Sequence, residues 1–114
     1  MAFDELELKR IDKLIGERFR DRVPSEIQDK LRNEIRVEGQ NVIIAESRPR
    51  WDKPEEWLAL DFAKLRYIRS KNVWKLYWKR ASGKWDFYEP KGESIDLKIL
   101  ADVIDQDQFG CFFG

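Results

Sequence analysis

The side chains best suited to chemistry in this sequence are cations and aromatic rings in one predicted hairpin. Residues 62–80 contain seven lysines and arginines and no acid. Strand alternation places one set of these side chains on a common sheet face: Lys64, Arg66, Lys75, Tyr77 and Lys79. Cations can hold phosphates, and exposed rings can stack on bases. The set predicts a face that binds nucleic acid or an acidic protein surface. In the alternative interpretation the cations face solvent and only keep the strands soluble.

A second candidate is the segment Arg48-Pro49-Arg50-Trp51. Two arginines on a strand end stiffened by proline can hold a carboxylate or phosphate in bidentate fashion, with Trp51 as a stacking wall. This predicts an anion clamp formed by Arg48, Arg50 and Trp51. In the alternative interpretation the arginines pair with nearby acids such as Asp52 or Glu46, and Trp51 belongs to the core.

The absence of histidine restricts any catalytic chemistry. It removes the Ser-His-Asp and Cys-His routes and most zinc sites. An enzyme would have to use carboxylates or a lysine with shifted pKa values. No catalytic residue, cofactor site or metal site is signalled, so we predict a non-enzymatic binding or interaction module. The alternative is a small carboxylate- or lysine-dependent enzyme.

Composition bounds the class of protein. The 114 residues suffice for one domain with one hydrophobic core, and we assign residues 1–114 to a single domain. Lysine plus arginine and aspartate plus glutamate number 22 each, so net charge is zero. The single cysteine, Cys111, allows no internal disulfide and fits a reducing compartment. No apolar run is long enough to span a membrane. These features predict a cytoplasmic protein.

The periodicity predicts elements that carry these side chains. A helix over residues 4 to about 22 begins with a capping box formed by Asp4 and Glu7. A tight turn at Gly39-Gln40 sets Val37 opposite Val42 in a first hairpin. Residues 50–61 follow as an irregular connection, in which residues 55–60 can form a short helical turn.

Two further hairpins complete the predicted sheet. A turn at Lys71-Asn72 sets Leu65 opposite Trp78, and a turn at Ser82-Gly83 sets Trp78 opposite Phe87. Trp78 should then be nearly fully buried, on an apolar face comprising Leu65, Tyr67, Leu76, Trp78 and Phe87. The same registers put Asp86 and Tyr88 on the cationic face.

The C-terminal third predicts a last helix over about residues 95–105, capped by Ser94. Phe112 and Phe113 are too apolar to trail in water, so we expect them to pack on their own sheet or to form a homodimer contact. The expected fold is α+β: an antiparallel sheet of about five strands, with an N-terminal and a C-terminal helix packed on one face.

Nearly the whole chain resembles a family of short bacterial proteins known only as a domain of unknown function. The matching segments are Arg48–Trp51, Val73–Trp78 with Arg80, Trp85–Pro90 and Cys111–Gly114. The resemblance implies no activity, substrate or catalytic residue. It implies a complete protein of bacterial origin.

Overall fold

A computed structural model describes residues 3–113, which form an α+β fold built on an antiparallel sheet. The fold class is confirmed. The strands are β1 (Arg32–Glu38), β2 (Asn41–Pro49), β3 (Trp57–Ile68), β4 (Val73–Lys79), β5 (Trp85–Phe87) and β6 (Glu93–Ser94). Strands β1 to β5 are neighbours in chain order across the sheet. Strand β6 also pairs with β4, at Trp74 and Lys75, whereas β5 pairs with Tyr77 to Lys79. The helices are α1 (Glu5–Ile11), α2 (Glu17–Arg20) and α3 (Leu97–Gln106). No helix among the described residues is long and apolar enough to cross a membrane.

The N-terminal helix runs through α1, a π-helical segment (Asp12–Gly16) and α2. The capping box is confirmed, because Asp4 and Glu7 each accept a hydrogen bond from the other's backbone N–H. Ile11, Ile15 and Phe19 are buried at helical spacing. After Pro24 the chain forms only a 3₁₀ turn, Ser25–Ile27.

One hydrophobic core lies between the helices and one face of the sheet, here called the inner face. It contains the helical stripes and the inward side chains of the central strands: Ile11, Ile15, Phe19, Val42, Ile44, Ala63, Leu65, Trp74, Leu76, Leu100 and Ile104. Both helices therefore cover the same face of the sheet. The opposite side is the outer face.

The first hairpin has the predicted register, with Val37 opposite Val42 and only Gly39 of the two turn residues at positive φ. The connection over residues 50–61 was predicted incorrectly. Strand β3 begins at Trp57 and continues the ladder with β2, interrupted by a β-bulge in which Phe62 has no partner. The β2–β3 hairpin therefore extends well beyond the helices.

The register of β3 with β4 differs from the prediction by two residues, because the loop has four residues and ends with Asn72 in the left-handed region. Leu65 lies opposite Leu76, and Trp78 lies opposite Ala63. A shift of two residues keeps every side chain on its predicted face. Trp78 is inward but only half-buried, so the expectation of near-complete burial is wrong.

The register of β4 with β5 differs by one residue, and this exchanges the two faces of β5. Phe87 lies opposite Tyr77 on the outer face, whereas Tyr88 is 2% exposed in the core. The physical cause is a turn of three residues, Ala81 to Gly83, in which Gly83 has φ +87° and the Arg80 carbonyl accepts from its N–H. The predicted positions of Phe87, Tyr88 and Asp86 are therefore wrong.

The C-terminal segment packs within its own chain. Helix α3 is capped by Asp96 rather than by Ser94. The Phe112 ring lies 5.1 Å from that of Tyr88, and the Phe113 ring lies 5.1 Å from that of Phe62. Phe112 is 6% exposed and Phe113 is half-buried, so both rings pack within their own chain, and the homodimer contact stays a prediction.

Candidate binding face

The outer face of β3, β4 and β5 carries long cationic and aromatic side chains in three neighbouring rows. Because opposed residues in antiparallel strands share a face, the pairing places them together. The rows, each crossing the sheet, are Asn41, Arg66 and Lys75; then Ile43, Lys64, Tyr77 and Phe87; then Lys79 and Trp85. The five residues singled out from the sequence lie on this face.

The cations and rings of the outer face contact one another. The Lys64 ammonium lies 4.9 Å from the Tyr77 ring centroid and 5.2 Å from that of Trp85. Lys79 approaches Trp85 to 5.5 Å, and the Tyr77 and Phe87 rings meet edge to face at 5.8 Å. Cation–π attraction holds these ammonium groups over the rings at the surface. The result is one continuous layer of positive charge and π surface.

The layer keeps most of its positive charge. Within residues 3–113, Lys64, Arg66 and Lys79 form no ion pair. Lys75 is the exception, because it forms an ion pair at 3.7 Å with Glu93, the residue opposite it on β6. Asp86, which could have neutralised the face, instead bonds Arg80 at 3.0 Å.

Burial lowers the pKa of Lys64, and the nearby positive charge of Arg66 lowers it further. Both effects disfavour the protonated amine. An anion bound beside Lys64 would oppose them, because its negative charge favours the protonated form. The N-terminal helix and α3 both pack on the inner face, so neither covers Lys64. The outer face is therefore open to a ligand of extended shape.

Two rings of the layer, Trp85 and Phe87, were missed by sequence reasoning. The predicted two-residue turn at Ser82-Gly83 placed Phe87 in the core. A three-residue turn with glycine at its last position is the other common way to close such a hairpin, and that pattern is present at Ala81 to Gly83. Gly92 also shapes this edge, since a Cβ there would lie 2.4 Å from the Tyr88 carbonyl and 2.5 Å from the Phe87 ring.

The second candidate, the anion clamp, lies on the projecting end of the β2–β3 hairpin. The Arg48 Nε donates to Glu46 at 2.7 Å, and Arg50 forms a fork on Asp52 at 3.0 and 2.9 Å. Trp51 is 93% exposed. Both guanidinium groups are thus engaged by carboxylates of their own hairpin, so an incoming anion would have to displace them.

Cys111 and the acidic side chains are the other groups whose chemistry can be described. Cys111 is free and half-buried, and burial together with the charge of Asp107 raises its pKa. A raised pKa lowers the fraction of reactive thiolate. Residues 3–113 contain no group of three or more Cys, Asp or Glu side chains placed to hold a metal ion.

These features define an α+β domain in which helices cover one sheet face and cations and rings occupy the other. The chain belongs to the family described as Domain of unknown function (DUF3024), whose profile matches residues 3–114. Comparison with curated proteins and with solved structures gave no match.

Proposed function

We propose that the protein is a non-enzymatic binding module whose outer face binds single-stranded nucleic acid. The observation that supports this most directly is the combination of Lys64, Arg66 and Lys79, unpaired within residues 3–113, with the rings of Tyr77 and Trp85. Cations that follow a backbone, beside rings on which bases stack, are the usual means of holding a single strand.

The shape and charge of the outer face favour a single strand over a duplex. Rings that lie on a sheet can stack only on bases that are themselves unstacked and exposed. The chain has no net positive charge, so the attraction is local to this face. We therefore propose weak binding with little sequence preference. The free thiol of Cys111 suits a reducing compartment, and we place this role in the bacterial cytoplasm.

The electrostatic part is tested by replacing Lys64, Arg66 and Lys79 together with glutamine. Fluorescence anisotropy of a labelled single-stranded oligonucleotide is measured across a series of salt concentrations. Each lost phosphate contact should reduce the slope of log K against log salt by about 0.7, or about 2 for the three. The matched control replaces Lys9, Lys13 and Lys30, which are exposed away from the outer face, and should leave the slope unchanged.

The stacking part is tested by Trp85→Ala. Loss of one stacking ring should weaken binding by about tenfold at every salt concentration without altering the slope. Circular dichroism and a melting curve show whether each variant is folded. No affinity of the wild type at low salt, or equal losses in the glutamine variant and its control, would overturn the proposal.

A further inference from the structure

Part of strand β3 has an unpaired edge. Strand β2 pairs with β3 on one side along its length, but β4 pairs with β3 only from Ala63 to Ile68. On that second side, residues 57–62 have no strand partner in the described part of the chain. The bulge at Phe62 lies where the pairing with β4 stops. Such an edge exposes backbone N–H and C=O groups that can pair with another strand.

The direction of these backbone groups follows from the ladder with β2. The Arg50 N–H donates to the Glu56 carbonyl at 2.8 Å, so these two residues form a hydrogen-bonded pair. Because bonded and non-bonded pairs alternate in an antiparallel ladder, Leu58 and Leu60 also direct their backbone groups at β2. Trp57, Ala59 and Asp61 must then direct theirs at the open edge.

The side chains at this edge are apolar and exposed. Leu58 is 57% exposed and Leu60 is 71% exposed, on the same side of the hairpin as the exposed Trp51. No charge occurs from Trp57 to Leu60. The opposite edge of the sheet differs, since β1 presents an alternating series of exposed charges: Arg32, Glu34, Arg36 and Glu38. Charged side chains protect an edge from association, and residues 57–62 of β3 contain only one, Asp61.

We propose that this edge pairs with the same edge of a second copy, antiparallel, about a two-fold axis at Ala59. Outward-directed residues must face each other, which sets Ala59 opposite Ala59 and Trp57 opposite Asp61 and allows about six backbone hydrogen bonds. Leu58 then lies opposite Leu60 in a non-bonded pair, where side chains approach most closely. The four leucines of the two copies form one apolar cluster.

Charge complementarity favours a second copy as the occupant. The Arg32 guanidinium lies 4.0 Å above the Trp57 ring. Asp61 accepts two hydrogen bonds from Arg36 of its own chain, at 3.2 and 2.9 Å. In the proposed register it also approaches the Trp57 and Arg32 of the other copy, so each Asp61 carboxylate would lie between two arginines, one from each copy. Asp61 is the one charged residue between Trp57 and Phe62, and it never opposes itself. With 22 charges of each sign, the chain also lacks net self-repulsion.

Sedimentation velocity over a range of concentrations tests the assembly. The wild type should shift from 13.7 kDa towards twice that mass as concentration rises. Ala59→Pro removes an N–H directed at the open edge and leaves the ladder with β2 intact, so it should remain monomeric and folded. The matched control is Val37→Pro, at an outward-directed position of β1, which should still dimerise.

Disulfide trapping tests the register without a proline. Leu58→Cys and Leu60→Cys are made separately in a Cys111→Ser background and oxidised alone or mixed. Opposed residues in a non-bonded pair lie within disulfide range, so the mixture should cross-link several-fold more than either variant alone. A wild type that stays monomeric, a dimeric Ala59→Pro or equal cross-linking in all samples would overturn the proposal. If the wild type is monomeric, the open edge of β3 would instead be available to a strand of another protein.

Discussion

Asp107 is expected to hold the C-terminal segment in place. It ends α3 in the left-handed region, at φ 43° and ψ 52°. Its two carboxylate oxygens accept hydrogen bonds from the backbone N–H groups of Phe112 and Phe113, at 2.9 and 2.8 Å. These bonds position the Phe112 ring against Tyr88 in the core. A hydrogen bond to a charged group contributes about 1.5–3 kcal/mol. Because the site is partly exposed, Asp107→Ala should cost about 2–4 kcal/mol for the pair.

Two further substitutions separate the hydrogen bonds from the backbone conformation. Asp107→Asn keeps one acceptor and tolerates the left-handed region, so it should cost only about 1 kcal/mol. Asp107→Gly loses both bonds but relieves the strain that alanine keeps, so it should be more stable than Asp107→Ala by about 1 kcal/mol. Urea unfolding gives all four free energies, provided that the m-value is constant. An alanine variant as stable as the wild type would show that the carboxylate does not hold the segment.

The exchanged faces of β5 and the ion pair between Arg18 and Asp102 can each be tested by substitution. Tyr88→Lys should unfold the protein or lower its free energy of unfolding by more than about 3 kcal/mol, whereas Phe87→Lys should lower it by less than about 1 kcal/mol. Similar losses in the two variants would refute the exchanged faces of β5. The hydrogen bond from Arg18 lowers the pKa of Asp102 below its usual 3.8. The pair therefore stabilises the fold fully above about pH 3.8, and this stabilisation is lost as pH falls through the lowered pKa. Arg18→Met should therefore flatten the acid-induced fall in the urea midpoint, and an unchanged pH profile would contradict this.

The spacing of apolar residues predicted those parts of the fold that are determined by burial and depend little on the length of a turn. The stripe of Ile11, Ile15 and Phe19 and the register of Val37 with Val42 follow from helical spacing and from one glycine. Turn length decides the rest, because each added turn residue moves the following strand by one position. The error at Ser82-Gly83 moved Phe87 and its neighbours to the wrong face, whereas the two-residue error at Lys71-Asn72 moved none.

The projecting hairpin was missed for a different reason. Trp57 to Leu60 lacks the alternation of apolar and polar residues that predicts a strand, because neither of its faces is covered by the helices. Its strand character comes from pairing with β2, the preceding strand of the same hairpin, across the connection of residues 50–56. The bulge at Phe62 likewise has no local signal such as glycine. Of the candidate binding face, the cations could be predicted from strand alternation, but the rings of Trp85 and Phe87 could not be placed without the turn.

The two proposals describe surfaces that would act together. Opposed residues in an antiparallel pair lie on the same face of a sheet, so pairing at Ala59 would extend the sheet without inverting it. The outer faces of both copies, with Lys64 and Trp85 on each, would then point to the same side. A strand long enough to reach both faces would bind the second at a high effective concentration, whereas a short one would occupy a single face. Dimerisation would thus raise affinity for long strands alone, which suits a weak face with little sequence preference.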